Sequence, residues 1–88
     1  MDKHLHEGTA LRLKIKELVL DFMKNNDDCQ PNALGVACAE IFRDCGLNWG
    51  DLPTKPGNQV YWVHALLEQC EKEGLVFRDP INKKYRIK

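Results

Sequence analysis

Gly74 separates two hydrophobic rhythms, and that change of period limits what this chain can fold into. Before it, in NQVYWVHALLEQCEKEG, Val60, Val63, Leu67 and Cys70 recur at the spacing of one helix face, with His64 at its edge. After it, LVFRD and KKYRIK are short runs rich in Val, Phe, Tyr and Ile, which suit strands. Between them, DPINK carries Asp79, Pro80 and Asn82, all turn formers. The spacing predicts a helix from about Gln59 to Glu73 with Asn58 as its N-cap, then a β-hairpin. Gly74 supplies the positive φ that reverses the chain without steric cost. Strict alternation is expected to turn Leu75 and Phe77 inward and leave Val76 and Arg78 outside. A lone hairpin is marginal in water, so this one must lie over helices.

Two further helices are expected upstream. In LRLKIKELVLDFMK, Leu11, Ile15, Leu18, Val19, Phe22 and Met23 form one helical stripe from Leu11 to Lys24. Thr9 is its expected N-cap, and NNDD its end, because short polar side chains compete there for backbone hydrogen bonds. Residues 1–8 then form a flexible tail, and residues 9–88 a single domain. Leu13 and Leu20 lie off the stripe, seven apart, and are either ordinary exposed leucines or a docking strip. In NALGVACAEIFRDCG, Asn32 is the expected cap, and Leu34, Ala37, Cys38, Ile41, Phe42 and Cys45 the buried stripe. Gly46 fits a left-handed stop, with Leu47 folding back on the helix. CQP, residues 29–31, is a candidate for one small strand that Pro31 would end. The segment from Leu47 to Gly57 is a long loop in which Trp49 is expected to plug onto the core.

At 88 residues the chain is one domain with a small core. No apolar run approaches the roughly 20 residues of a membrane helix, and MDKHLHEGTA has no secretory apolar segment, so a cytoplasmic protein is expected. Cys29, Cys38, Cys45 and Cys70 are expected as free thiols, since three fall on apolar helix positions. No C-x-x-C pair is present, and His4 with His6 reads as a polar terminus, so no metal is expected.

The stretch NQVYWVHALLEQCEKEGLVFRD followed by KKYRI resembles the third helix and wing of winged helix-turn-helix domains. The match lies in Val60, Tyr61, Leu67, Glu71, Gly74, Leu75 and Val76, and PNALGVACAEIF is similar to the helix before the recognition helix. The resemblance covers nearly the whole chain and does not single out a subfamily. It implies a mainly α fold with a small β-hairpin, an α+β three-helix core with a C-terminal wing. The loop from Leu47 to Gly57 is longer than that family's usual turn.

Charge is distributed unevenly behind a formal total of zero. Residues 75–88 set Arg78, Lys83, Lys84, Arg86 and Lys88 against Asp79, a net +4, while residues 1–74 hold eight cations and twelve acids, a net −4. A local basic surface is what duplex phosphates require. A lysine-rich hairpin also simply discourages edge-to-edge pairing. With the family resemblance, Lys55, Arg78, Lys83, Lys84 and Arg86 become candidate phosphate contacts. Asn58, Gln59 and Tyr61 are candidates for the groove, near the positive end of the third helix. Trp62, on the outward face with Tyr61, Ala65 and Gln69, must pack on the long loop, a partner or a nucleic acid. Glu68, Glu71 and Glu73 make the far end of that helix acidic, so only its start suits a duplex.

The function expected is therefore a small DNA-binding protein, a transcriptional regulator. The alternative is a winged-helix adaptor in a larger assembly, docking protein through Leu13, Leu20 or Trp62, either as a homodimer or with another protein. No phosphate loop and no nucleophile–base pair is visible, so neither an enzyme nor a cofactor nor a small-molecule substrate is expected.

Overall fold

The structure is a computed structural model that describes residues 2–48 and 56–88, and of residues 56–60 the backbone. Among these residues the chain forms three α-helices and one hairpin. These are α1 (Lys3–Lys24), α2 (Cys38–Asp44), α3 (Pro56–Lys72), β1 (Val76–Arg78) and β2 (Tyr85–Ile87), with a short 3₁₀ turn at Asp27–Cys29. The two strands pair antiparallel, Val76 with Ile87, Phe77 with Arg86 and Arg78 with Tyr85. The expected α+β architecture, three helices with a hairpin wing, is the one observed.

The helices stop where their glycines permit it. Gly46 has φ +71°, with its amide bonded to the Arg43 carbonyl at 2.9 Å and the Leu47 amide to Phe42 at 3.1 Å. Gly74 repeats this pattern after α3, with φ +77° and the Leu75 amide on the Cys70 carbonyl at 3.0 Å. Both are Schellman closures, satisfying carbonyls that the helix end would leave open. The second closure also reverses the expected facing of β1. Leu75 is used in the turn and stays 40% exposed, so Val76 is the first residue to meet the core and is 1% exposed. Phe77 faces out, while Arg78 lies on the core side with its partner Tyr85.

Three expected helix starts are corrected. α1 begins at Lys3, so the expected tail contributes to the helix. Thr9 is no cap: its hydroxyl donates to the Leu5 carbonyl at 2.8 Å, the bond a threonine makes inside a helix. α3 begins at Pro56, which needs no amide partner in a first turn, so Asn58 and Gln59 lie within the helix. α2 begins only at Cys38, and its N-cap is Ala37, not Asn32. Leu34, expected in the core, is 74% exposed.

The shortening of α2 has a tertiary cause. Val36 forms an antiparallel bridge with Tyr85, its amide 3.0 Å from the Tyr85 carbonyl and its carbonyl 2.9 Å from the Tyr85 amide. Gly35, at φ +91°, brings the backbone against the wing. The added strand-like contact is thus at Val36, and Cys29, in the segment expected to supply it, belongs to the 3₁₀ turn instead. The end of α1 is closed from the same connection. Gln30 Nε2 donates to the carbonyls of Asn26, Lys24 and Met23 at 2.8, 3.0 and 3.4 Å.

The core draws on every element: Val19 and Met23 from α1, Ile41 and Phe42 from α2, Val63, Leu67 and Cys70 from α3, Val76 and Tyr85 from the wing, and Cys29 and Val36 between helices. Only part of the expected α1 stripe is buried, since Leu11 and Leu18 remain 59% and 44% exposed. Leu20 packs against the core while Leu13 is exposed, so the two do not form one strip.

Gly35 and Gly46 separate backbone strain from crowding. A Cβ on Gly46 would meet nothing within 4 Å, whereas one on Gly35 would lie 3.0 Å from both the Lys84 Cβ and the Tyr85 carbonyl oxygen. Gly46→Ala should cost about 1–2 kcal/mol for its left-handed φ. Gly35→Ala should cost a further 1–3 kcal/mol or so for the overlap. Urea unfolding of the two variants checks this, and equal losses would mean that the wing does not press on Gly35.

Candidate nucleic-acid interface

The wing tip is shaped by side chains that bind its own backbone. Asp79 Oδ1 accepts from the amides of Ile81 and Asn82 at 2.8 and 3.2 Å. Asn82 Oδ1 accepts from the Lys84 amide at 2.8 Å, and its Nδ2 donates to the Leu34 carbonyl at 3.1 Å. This closes the turn with Lys83 at φ +63°, a left-handed conformation that glycine or asparagine adopts more cheaply. The Lys83 side chain is exposed, and Ile81 beside it is 90% exposed.

The arginines of the wing are occupied within the molecule. Arg86 Nη1 donates to the Ala33 carbonyl at 3.1 Å and to Asp79 Oδ2 at 3.2 Å, and its guanidinium lies 4.9 Å from the Phe77 ring centroid. Arg78 is set 5.7 Å over the Tyr85 ring, and its Nε is buried. Of the expected wing contacts, Lys83 and the half-buried Lys84 therefore stand apart from this network, with Lys88 exposed at the chain end. Asp79, which looks like a stray acid in a basic hairpin, is instead the residue on which the tip depends. The signal for it was its place at the head of DPIN, where a carboxylate meets the following amides.

The wing runs back along α3. The Arg78 amide is 3.4 Å from Glu71 Oε2, and the Tyr85 ring stands edge-on to His64 with centroids 6.4 Å apart. Each acid at this end of α3 and in the turn after it has a neighbour: Glu71 has the Arg78 amide, Glu68 lies 3.5 Å from His64 Nε2, and Glu73 holds Lys16 and Gln69. The expected repulsion from this helix is thus partly engaged inside the molecule.

Tyr61 projects from α3, 69% exposed. Trp62 is 43% exposed and sets its ring edge-on to Phe42 of α2, with centroids 6.1 Å apart. It also lines a groove between α1 and α3, with Leu13, Ile15, Leu66, Arg12 and Gln69. Structure thus brings Leu13 to Trp62 and separates both from Leu20, which lines a shallow depression on another side of α1. Lys55, Trp49 and most of the long loop lie outside the described residues, as do the side chains of Asn58, Gln59 and Val60.

Among the described residues no cysteine is prepared as a nucleophile. All four cysteines are free. Burial pushes the Cys29 and Cys38 thiols up to about 11 and raises those of Cys45 and Cys70 as well, so they are protonated near neutral pH. Among the described residues no group of three His, Cys, Asp or Glu could hold a metal ion, and no helix is long and apolar enough to cross a membrane. Compared with known proteins, the chain matches no family model, no curated protein and no solved structure.

Two solution properties follow. The amides of Ile81 and Asn82, with Arg86 behind, hold the Asp79 carboxyl below the ordinary aspartate value. Its stabilising effect should therefore be present in full above the usual aspartate range and be lost as pH falls through the lowered value. Asp79→Asn should shrink that acid-side loss when melting temperature is followed against pH; an unchanged profile would mean that the turn does not depend on the charge. Thiol labelling should be slow in the native protein and reach four groups in denaturant without reductant, a count that any disulfide would reduce.

Proposed function

We propose that this chain is a small winged-helix DNA-binding protein, a transcriptional regulator, which meets duplex phosphates with its wing tip and presents the start of α3 to the groove. The observation that carries the reading is Lys83. A lysine in the left-handed region costs about 1–2 kcal/mol relative to an ordinary backbone conformation, and glycine would remove that cost. A strained position that keeps a long exposed cation at the tip of a rigid turn is best accounted for by a use of that cation. Lys84 adjoins it. Asn58 and Gln59 fall in the first turn of α3, which itself contains no acidic residue to oppose the positive end of the helix. Tyr61 follows on the exposed side.

A protein-binding adaptor is the second reading. It is favoured by the groove in which Trp62, Leu13 and Leu66 leave apolar surface open between α1 and α3.

Lys83→Gly separates these readings and separates function from folding. The substitution should leave stability unchanged or raise it by up to about 1 kcal/mol, because relief of strain competes with a more flexible unfolded chain. It should weaken binding to all duplex sequences alike and flatten the dependence of log affinity on log salt by about 0.9. Titration of random duplex DNA at low and moderate salt measures both. Wild-type protein that binds no duplex at low salt would overturn the DNA reading and leave the adaptor.

A further inference from the structure

One helical periodicity of α1 is left unfinished by the fold. His4, Gly8, Leu11, Ile15, Leu18 and Phe22 follow one another along α1 at alternating steps of four and three residues, the a/d pattern of a coiled-coil seam. The body of the protein takes the neighbouring stripe, Val19 and Met23, both 0% exposed. On the seam, Ile15 and Phe22 are only partly buried, and Leu11 and Leu18 are exposed. At about 1.5 Å per residue this 22-residue helix is roughly 33 Å long, and its residues up to Gly8 are all exposed.

We propose that two copies of the chain associate by parallel, in-register pairing of their α1 helices along this seam. The proposal does not rest on DNA binding. Three observations select a second copy, and this orientation. Gly8, Ile15 and Phe22 take the a positions and His4, Leu11 and Leu18 the d positions, so the central layers are isoleucine at a between leucines at d, the arrangement that favours parallel two-stranded coils. Glu7 then falls at g and Arg12 at the following e, the two positions that meet across a parallel pair. The two-fold makes that contact twice. Both residues are exposed, and neither has an ion-pair partner among the described residues. Antiparallel pairing over the same seam would instead bring Glu7 toward Asp21 of the second copy and Lys14 toward its own counterpart, in both cases like charges.

The position of the body agrees with this orientation. Val19 and Met23 lie about a quarter-turn around the helix from the seam, at 100° per residue. A two-fold axis parallel to α1 therefore sends the two bodies to opposite sides of the helix pair, where neither obstructs the other. An antiparallel two-fold would put both on one side. The seam is weak at its amino end, where Gly8 and His4 contribute little apolar surface, so association should be reversible.

Sedimentation from about 1 µM to about 1 mM, the range of weak to moderate association, should show wild type passing from monomer to dimer. Leu18→Glu and Leu11→Glu replace exposed side chains. They should keep the wild-type circular dichroism and remain monomeric throughout. Glu7→Arg and Arg12→Glu should each weaken the dimer by about tenfold, by setting like charges against each other on both flanks. The double variant Glu7→Arg/Arg12→Glu should regain wild-type affinity. Wild-type protein that stays monomeric over the range, a dimer that survives Leu18→Glu, or a double variant no tighter than the singles would each overturn the proposal.

Discussion

The paired hydrogen bonds between Val36 and Tyr85 tie the structure together. They join the connection before α2 to the second strand of the wing, at 2.9 and 3.0 Å, and they fix Tyr85, the largest fully buried side chain among the described residues. A hairpin of three-residue strands has too few bonds of its own to persist, so the wing depends on this attachment and on the core beneath it. Gly35 eases the attachment, since a Cβ there would lie 3.0–3.1 Å from Lys84, Tyr85 and Arg86. With Val36 bound to the wing, the preceding residues cannot join α2, and Leu34 is held in the open while its carbonyl receives Asn82.

The same attachment determines which charges remain available. Arg86 follows Tyr85, so once Tyr85 is fixed its guanidinium reaches Ala33 and Asp79. Arg78 pairs with Tyr85 and lies over its ring. Two of the five wing cations thus become structural, and the tip, shaped by Asp79 and Asn82, presents Lys83 and Lys84. Arg86 is not interchangeable with a lysine, because its planar fork donates to Ala33 and Asp79 while it stacks on Phe77. Formal charge therefore overstates the charge that the wing leaves free, and its lysines make up what remains.

Much of the fold was legible in local signals. The period change at Gly74 located the wing, and the left-handed stops at Gly46 and Gly74 were readable because only glycine takes that conformation freely. Asn32 and Leu34 were misread because the competing event lies far away in sequence: a bond from Val36 to Tyr85 overrides the helical look of NALGVACAEIF. The facing of Val76 was misjudged by one residue, since the Schellman closure consumes Leu75 before the strand begins. At the candidate site, Lys83 and Lys84 were legible as charge, whereas the withdrawal of Arg78 and Arg86 depends on partners that no spacing rule exposes. Leu11 and Leu18 show the limit of periodicity. It marks an apolar face correctly and does not say whether the chain itself covers that face.

Native-state hydrogen exchange of the Val36 and Tyr85 amides tests most directly whether the wing is an integral part of the core. If the account is right, both amides exchange only through global unfolding, with the same free energy as the Leu67 and Cys70 amides of α3. Exchange of Val36 and Tyr85 through a local opening, at a free energy well below that of α3, would contradict it, because the wing would then detach while the helices stay folded.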